Sequence, residues 1–108
     1  MKNIKKILFS AFDAGGGNAV LPVAKNISKS KQFKTLCIVG GPSKDIFKRG
    51  KIKFISADLL TKKELKKLVE TFRPNFFISG TSAGLTFDKK ILPTVQKMGT
   101  KSIYILDY

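Results

Sequence analysis

The chain contains no histidine, no tryptophan and a single cysteine, Cys37. Without histidine there is no Ser–His–Asp or Cys–His arrangement, and the commonest general base is missing. One cysteine excludes an internal disulfide, and a zinc site lacks its ordinary Cys and His donors, so no metal is expected. Cys37 lies in the apolar run LCIVG and is read as a buried structural thiol. Acid is scarce: seven Asp and Glu stand against 21 Lys and Arg, a net charge of +14. Long apolar runs are also lacking. Each such stretch is short and broken by charge, so none is expected to span a bilayer. The opening MKNIKKILFSAF has basic residues before an apolar stretch, as a secretory leader has. That stretch is short, meets Asp13 and offers no small-residue cleavage site. It is read as a first β-strand, and a cytoplasmic location is expected.

What is present is one domain's worth of chain. With 108 residues, of which 43 % are hydrophobic, there is enough for one core and too little for two. The basic balance suggests an anionic partner: nucleic acid, anionic lipid or a phosphorylated ligand. Arginine, whose planar fork reads bases and phosphates, occurs only at Arg49 and Arg73. The lysines are spread along the chain with few aromatics among them, so a single-strand stacking platform is not supported and nucleic acid is not the expected partner. A solvated lysine-rich surface remains the plain alternative to a binding face.

Five short segments are apolar on nearly every residue: Ile4–Phe12, Phe33–Val39, Ile52–Ser56, Asn75–Ser79 and Ser102–Asp107. Strands covered on both faces have this composition. Helical periodicity lies between them. Thr61–Phe72 carries a capping-box pair, Thr61 and Glu64, and an apolar stripe of Leu65, Leu68, Val69 and Phe72. Asn18–Ser30, with Asn18 as its cap, and Ser43–Arg49 are two more helices. A fourth begins near Asp88 and ends at Met98 before Gly99, and Pro93 leaves its start open. The order βαβαβαβαβ implies an α/β fold: a Rossmann-like open parallel five-stranded sheet, order 3-2-1-4-5, with helices on both faces. The ending YILDY is read as a fifth strand handing over to more chain, so residues 1–108 are expected to be the N-terminal half of a larger two-domain protein.

In such sheets ligands bind at the carboxyl ends of the strands, beside the switch point. There the sequence gathers Asp13, Gly15, Gly16, Gly17 and Asn18 after strand one. Gly40–Ser43 follow strand two, Gly80, Thr81, Ser82 and Gly84 strand four, and Asp107 strand five. Glycine permits sharp turns and close approach, and the following helix offers free N–H groups with a positive dipole end. A phosphate, a sugar hydroxyl or a carboxylate would suit Gly15–Asn18, with Gly80, Thr81 and Ser82 opposite. The alternatives are a tight strand-to-helix turn and an ordinary polar loop. Asp13 and Asp107 are candidate catalytic groups, each a general base or hydroxyl acceptor. Equally, Asp13 would cap the glycine turn and Asp107 would simply be exposed. No P-loop and no G-x-S-x-G elbow occurs. The acid that dinucleotide binding wants after strand two is replaced by CIVGG, so neither NAD nor any other cofactor is expected.

The stretches ILFSAFDAGGGNAVLPVAK and FRPNFFISGTSAGLTFDKKILPTVQKMGTKSIYILDY carry a resemblance. The glycine turn leads into a helix with an early proline, Pro22. Arg73-Pro74-Asn75 precedes the fourth strand, and Lys97-Met98-Gly99 precedes the fifth. In this the chain resembles the N-terminal domain of GT-B-fold glycosyltransferases and related sugar-nucleotide enzymes of polysaccharide biosynthesis. The resemblance implies a two-domain enzyme whose N-terminal domain receives the acceptor and whose C-terminal domain holds the nucleotide-sugar donor. It implies that Gly15, Gly16, Gly17, Asn18, Thr81 and Ser82 face the interdomain cleft. Asn18 stands where family members often carry histidine. The partners implied are a nucleotide-sugar or phosphorylated acceptor, a C-terminal donor domain and peripheral contact with an anionic membrane at its inner face. The competing reading is a stand-alone Rossmann-like module that binds a nucleotide or small anion without catalysis.

Overall fold

The computed structural model describes residues 4–80 and 87–105. Five parallel strands form one sheet in the order β3-β2-β1-β4-β5. Along the chain these are β1 (Lys5–Ala11), α1 (Ala14–Ser28), β2 (Phe33–Val39), α2 (Ser43–Arg49), β3 (Ile55–Ser56), α3 (Lys62–Phe72), β4 (Phe76–Gly80), α4 (Phe87–Lys97) and β5 (Lys101–Ile105). A single 3-10 turn, Ala57–Leu59, follows β3. This is the Rossmann-like α/β architecture expected from the alternation of segments.

Strand alternation divides the core in two. Ile7, Phe9 and Ala11 of β1 point to one face with Val20 and Ala24 of α1 and Phe47 of α2. Leu8 points to the other face with Leu65 and Val69 of α3 and Ile91 and Val95 of α4. Helices therefore cover both faces, and the central strands are buried on both sides, as parallel sheets require. Cys37 is buried in the first cluster, and burial pushes its thiol up to about 12.

The local chemistry of α3 is as the sequence implies. Thr61 Oγ1 accepts from the Glu64 amide at 3.1 Å, and Glu64 Oε1 accepts from the Thr61 amide at 3.0 Å, which closes the capping box. The helix ends at Arg73, which adopts the left-handed conformation (φ 53°) just before Pro74. Asn75 then ties the entry of β4 to β1. Its Oδ1 accepts from the Lys6 amide, and its own amide donates to the Lys6 carbonyl, both at 2.7 Å.

Beyond shifts of one or two residues at element ends, two elements differ from expectation, and two helices contain proline. α1 starts at Ala14 with Asp13 as its cap, four residues ahead of an Asn18-capped start; Asn18 lies exposed inside the helix. β3 is limited to Ile55–Ser56, because Ile52 and Phe54 pack against the core without pairing with β2. α4 accommodates Pro93, and α1 accommodates Pro22, both exposed. On a solvated helix surface the carbonyl that proline leaves unbonded is open to water, which limits the disruption.

Candidate functional site

The strand order reverses between β1 and β4, and the carboxyl ends of these strands carry the candidate rim. The glycines after β1 do not form an open loop. They make the first turn of α1, with Gly16 and Gly17 buried. Asp13 Oδ1 accepts from the Gly16 amide at 2.7 Å, and the Asp13 carbonyl accepts from the Gly17 amide at 2.9 Å. The amides of Ala14 and Gly15 precede these two and have no partner among the described residues. They are the orphan donors every helix start leaves, at its positive dipole end. Asp13 Oδ2 likewise has no hydrogen-bond partner among the described residues.

Close packing explains two of the glycines, Gly17 in this turn and Gly80 in β4. A Cβ on Gly80, at the end of β4, would lie 2.6 Å from Gly16 Cα and 2.9 Å from the Gly16 carbonyl oxygen. A Cβ on Gly17 would lie 2.5 Å from Ser43 Oγ. The start of α1 is therefore pressed against β4 on one side and against the start of α2 on the other. Ser43, fully buried, donates from Oγ to the Asp13 carbonyl at 2.7 Å, and its amide donates to the Phe12 carbonyl at 3.0 Å. The loops that follow β1 and β2 are thus tied together.

Asp58 supplies a second tie. Its Oδ2 accepts from the Gly41 amide at 3.1 Å and pairs with Lys44 Nζ at 2.7 Å. The hydrogen bond from Lys44 holds its carboxyl below the ordinary 3.8, and the Gly41 amide adds to this. Gly41 has φ +54°, and a Cβ there would meet the Phe12 ring at 3.0 Å, so this turn also needs glycine. Sequence reasoning noticed that no acid follows β2 and passed over Asp58. The carboxylate arrives from beyond β3, 17 residues from its partner Gly41, and only the β2–β3 pairing brings it there.

Beneath the rim, Ser10 and Ser79 are cross-strand neighbours, both fully buried. Ser10 Oγ donates to Ser79 Oγ at 3.0 Å, and Ser79 Oγ donates to the Gly80 carbonyl at 3.0 Å. This pair satisfies its own polarity in the core. Of the expected site residues, Asp13, Gly16, Gly17 and Gly80 are brought together, with Gly15 in the same turn; Asn18 lies one turn further along α1. Thr81, Ser82 and Asp107 lie outside the described residues. Among the described residues no group of three or more His, Cys, Asp or Glu side chains is placed to hold a metal, and no helix is long and apolar enough to cross a membrane.

The class these features define is a Rossmann-like domain with a glycine-packed helix start at its switch point. Comparison with solved structures gives the same fold. The UDP-GlcNAc 2-epimerase of Neisseria meningitidis, bound to UDP-GlcNAc, superposes with a TM-score of 0.70 at 13 % identity, over 93 % of this chain and 32 % of that one. S. aureus MnaA with UDP gives a TM-score of 0.71 at 15 % identity, over 94 % of this chain and 29 % of that one. A universal stress protein in complex with cAMP gives 0.51 at 12 % identity, over 97 % and 98 %. The chain thus spans about a third of the length of the epimerases it matches. No family model and no curated protein matches it.

Proposed function

We propose that this chain is the N-terminal, acceptor-side domain of a glycosyltransferase-like protein of cell-surface polysaccharide biosynthesis, completed by a C-terminal domain that holds the nucleotide-sugar donor. The observation that carries the reading is the first turn of α1. Its two amides without a partner among the described residues, Ala14 and Gly15, stand at the switch point beside an Asp13 carboxylate with one oxygen unbonded among those residues. That arrangement suits an anionic or hydroxyl-bearing ligand. The amides hold a phosphate or sugar oxygen, and Asp13 Oδ2 accepts a hydroxyl proton. Gly80 lets α1 approach closely enough to bring them there. The reading also assigns ligand contact to Thr81 and Ser82 and acceptance of a hydroxyl proton to Asp107. Asn18, a turn further along α1, contacts the bulk of the ligand. The likeness to domains of sugar-nucleotide epimerases supports a ligand of the nucleotide-sugar class. The domain works in the cytoplasm, at the inner membrane face where its acceptor is membrane-associated, and without the second domain it turns nothing over.

A second reading is favoured by one comparison. The likeness to a universal stress protein in complex with cAMP supports a nucleotide or small-anion module without catalysis. Both readings are tested by following amide shifts during titration with UDP-GlcNAc, UDP and cAMP. Shifts centred on residues 13–18 and 79–82 are expected. Shifts confined elsewhere refute both. A preference for cAMP over the uridine ligands favours the second.

A further inference from the structure

The helices that cover the Leu8 face of the sheet leave a groove between them, far in function from the glycine turn. We infer that this α3–α4 groove is a second anion site, for a free, compact and multiply charged phosphate such as a phosphoanhydride chain. Lys62 and Lys66, one turn apart on α3, line it together with Lys97 from the last turn of α4. Glu70, one turn beyond Lys66, is the single acid in the lining among the described residues. None of these four charged groups is in an ion pair among the described residues. The groove therefore keeps an excess of positive charge that its own carboxylate does not neutralise. Thr94 adds a hydroxyl donor, and the Pro93 ring and Met98 form an apolar wall. Its volume, about 550 Å³, falls in the range of small-molecule sites.

The chemistry selects the ligand class. Lysine presents a compact, freely rotating point charge, which suits phosphoryl oxygens arriving from several directions. A carboxylate is better matched by the planar fork of arginine, and none lines the groove. Three ammonium groups drawn from two helices favour an anion with charges distributed along a chain over one with a single charge.

Inorganic tripolyphosphate is the probe. Titrated into the full chain at low salt, it is expected to shift the amides around Lys62, Lys66 and Lys97, with affinity falling as salt is raised. The variant K62Q/K66Q/K97Q is expected to bind about tenfold more weakly or worse, at a loss of some tenths to one kcal/mol per exposed contact. The control K25Q/K29Q/K48Q removes equal charge from exposed positions in α1, just after it and in α2, and is expected to bind like the parent. Melting curves of both variants check that the fold is kept. Shifts spread over the lysines of both faces, or equal weakening in the two variants, would overturn the proposal. So would binding to vesicles of anionic phospholipid with none to tripolyphosphate.

Discussion

Placing a methyl group on Gly80 tests the geometry on which the rim depends. In Gly80→Ala the new carbon would sit 2.6 Å from Gly16 Cα, 2.9 Å from its carbonyl oxygen and 3.1 Å from its carbonyl carbon. Carbon atoms in contact are ordinarily about 3.5–4.0 Å apart. All three obstructing atoms are backbone, so no rotamer change relieves the overlap; the first turn of α1 must lift from β4 by roughly 1 Å. Forcing an extra carbon into a filled site costs about 1–3 kcal/mol. For a domain of this size that is a fall in Tm of roughly 5–20 °C. Gly50→Ala is the control. There the new carbon would meet Leu21 Cδ2 at 2.8 Å, the far end of a flexible side chain, at a position with ordinary φ. It is expected to cost less than about 1 kcal/mol. Thermal and urea unfolding of the parent and both variants decide the matter. If Gly80→Ala costs no more than Gly50→Ala, α1 does not start against β4, and the amides of Ala14 and Gly15 are not held at the switch point.

Four other perturbations have definite outcomes. Asp13→Asn keeps an oxygen to cap α1 and should leave stability within about 0.5 kcal/mol, whereas Asp13→Ala should cost about 1 kcal/mol; equal losses in urea unfolding would refute the capping role. Ser79→Ala strands the buried Ser10 hydroxyl of its acceptor and should cost about 1–3 kcal/mol, while the double variant with Ser10→Ala should recover much of this, a coupling that a double-mutant cycle measures. Asp58 and Glu64 both titrate below their ordinary values of 3.8 and 4.5, through Lys44 and through Thr61 respectively, so their stabilisation is complete above those values and is lost as pH falls through the lower folded values; Asp58→Asn should flatten that acid limb of the stability profile. Cys37, its thiol raised to about 12 by burial, should react with a disulfide reagent at pH 8 only as fast as the chain opens, and labelling at the rate of a free thiol would contradict its burial.

Much of the fold was legible because its signals are local. The capping box at Thr61 and Glu64, the apolar stripe of α3 and the unbroken apolar strands each follow from a few neighbouring residues, and the sheet order follows from their alternation. The start of α1 was not legible. Glycine in a helix costs about 1 kcal/mol per residue relative to alanine, so Gly15–Gly17 read as a turn. What overrides that cost is contact with Ser43 and Gly80, which lie 26 and more residues away, so no local window contains it. The short β3 has a similar cause. Ile52 and Phe54 have strand-like composition, but they serve the core from an unpaired edge segment, and composition does not distinguish burial from pairing. Asp58 escaped notice because its role depends on the β2–β3 neighbourhood and on nothing adjacent to it in the chain.

These long-range contacts change what a glycine-rich turn implies. Gly17 and Gly80 serve the protein's own packing, and the Asp13 carboxylate already holds one helix amide. A motif of this kind is thus weaker grounds for a ligand than its composition suggests, since a tight strand-to-helix junction needs the same residues. The case for a ligand rests instead on what packing leaves over. Ser43 fixes Asp13 through its carbonyl, Asp58 fixes the β2–α2 turn through Gly41, and Gly80 sets the height of α1 above the sheet. With those groups committed, the free polarity at the switch point among the described residues is two amides and one carboxylate oxygen, all set by the start of α1. A ligand meeting them gains hydrogen bonds without paying to order the site, the condition under which a few small contacts give useful affinity.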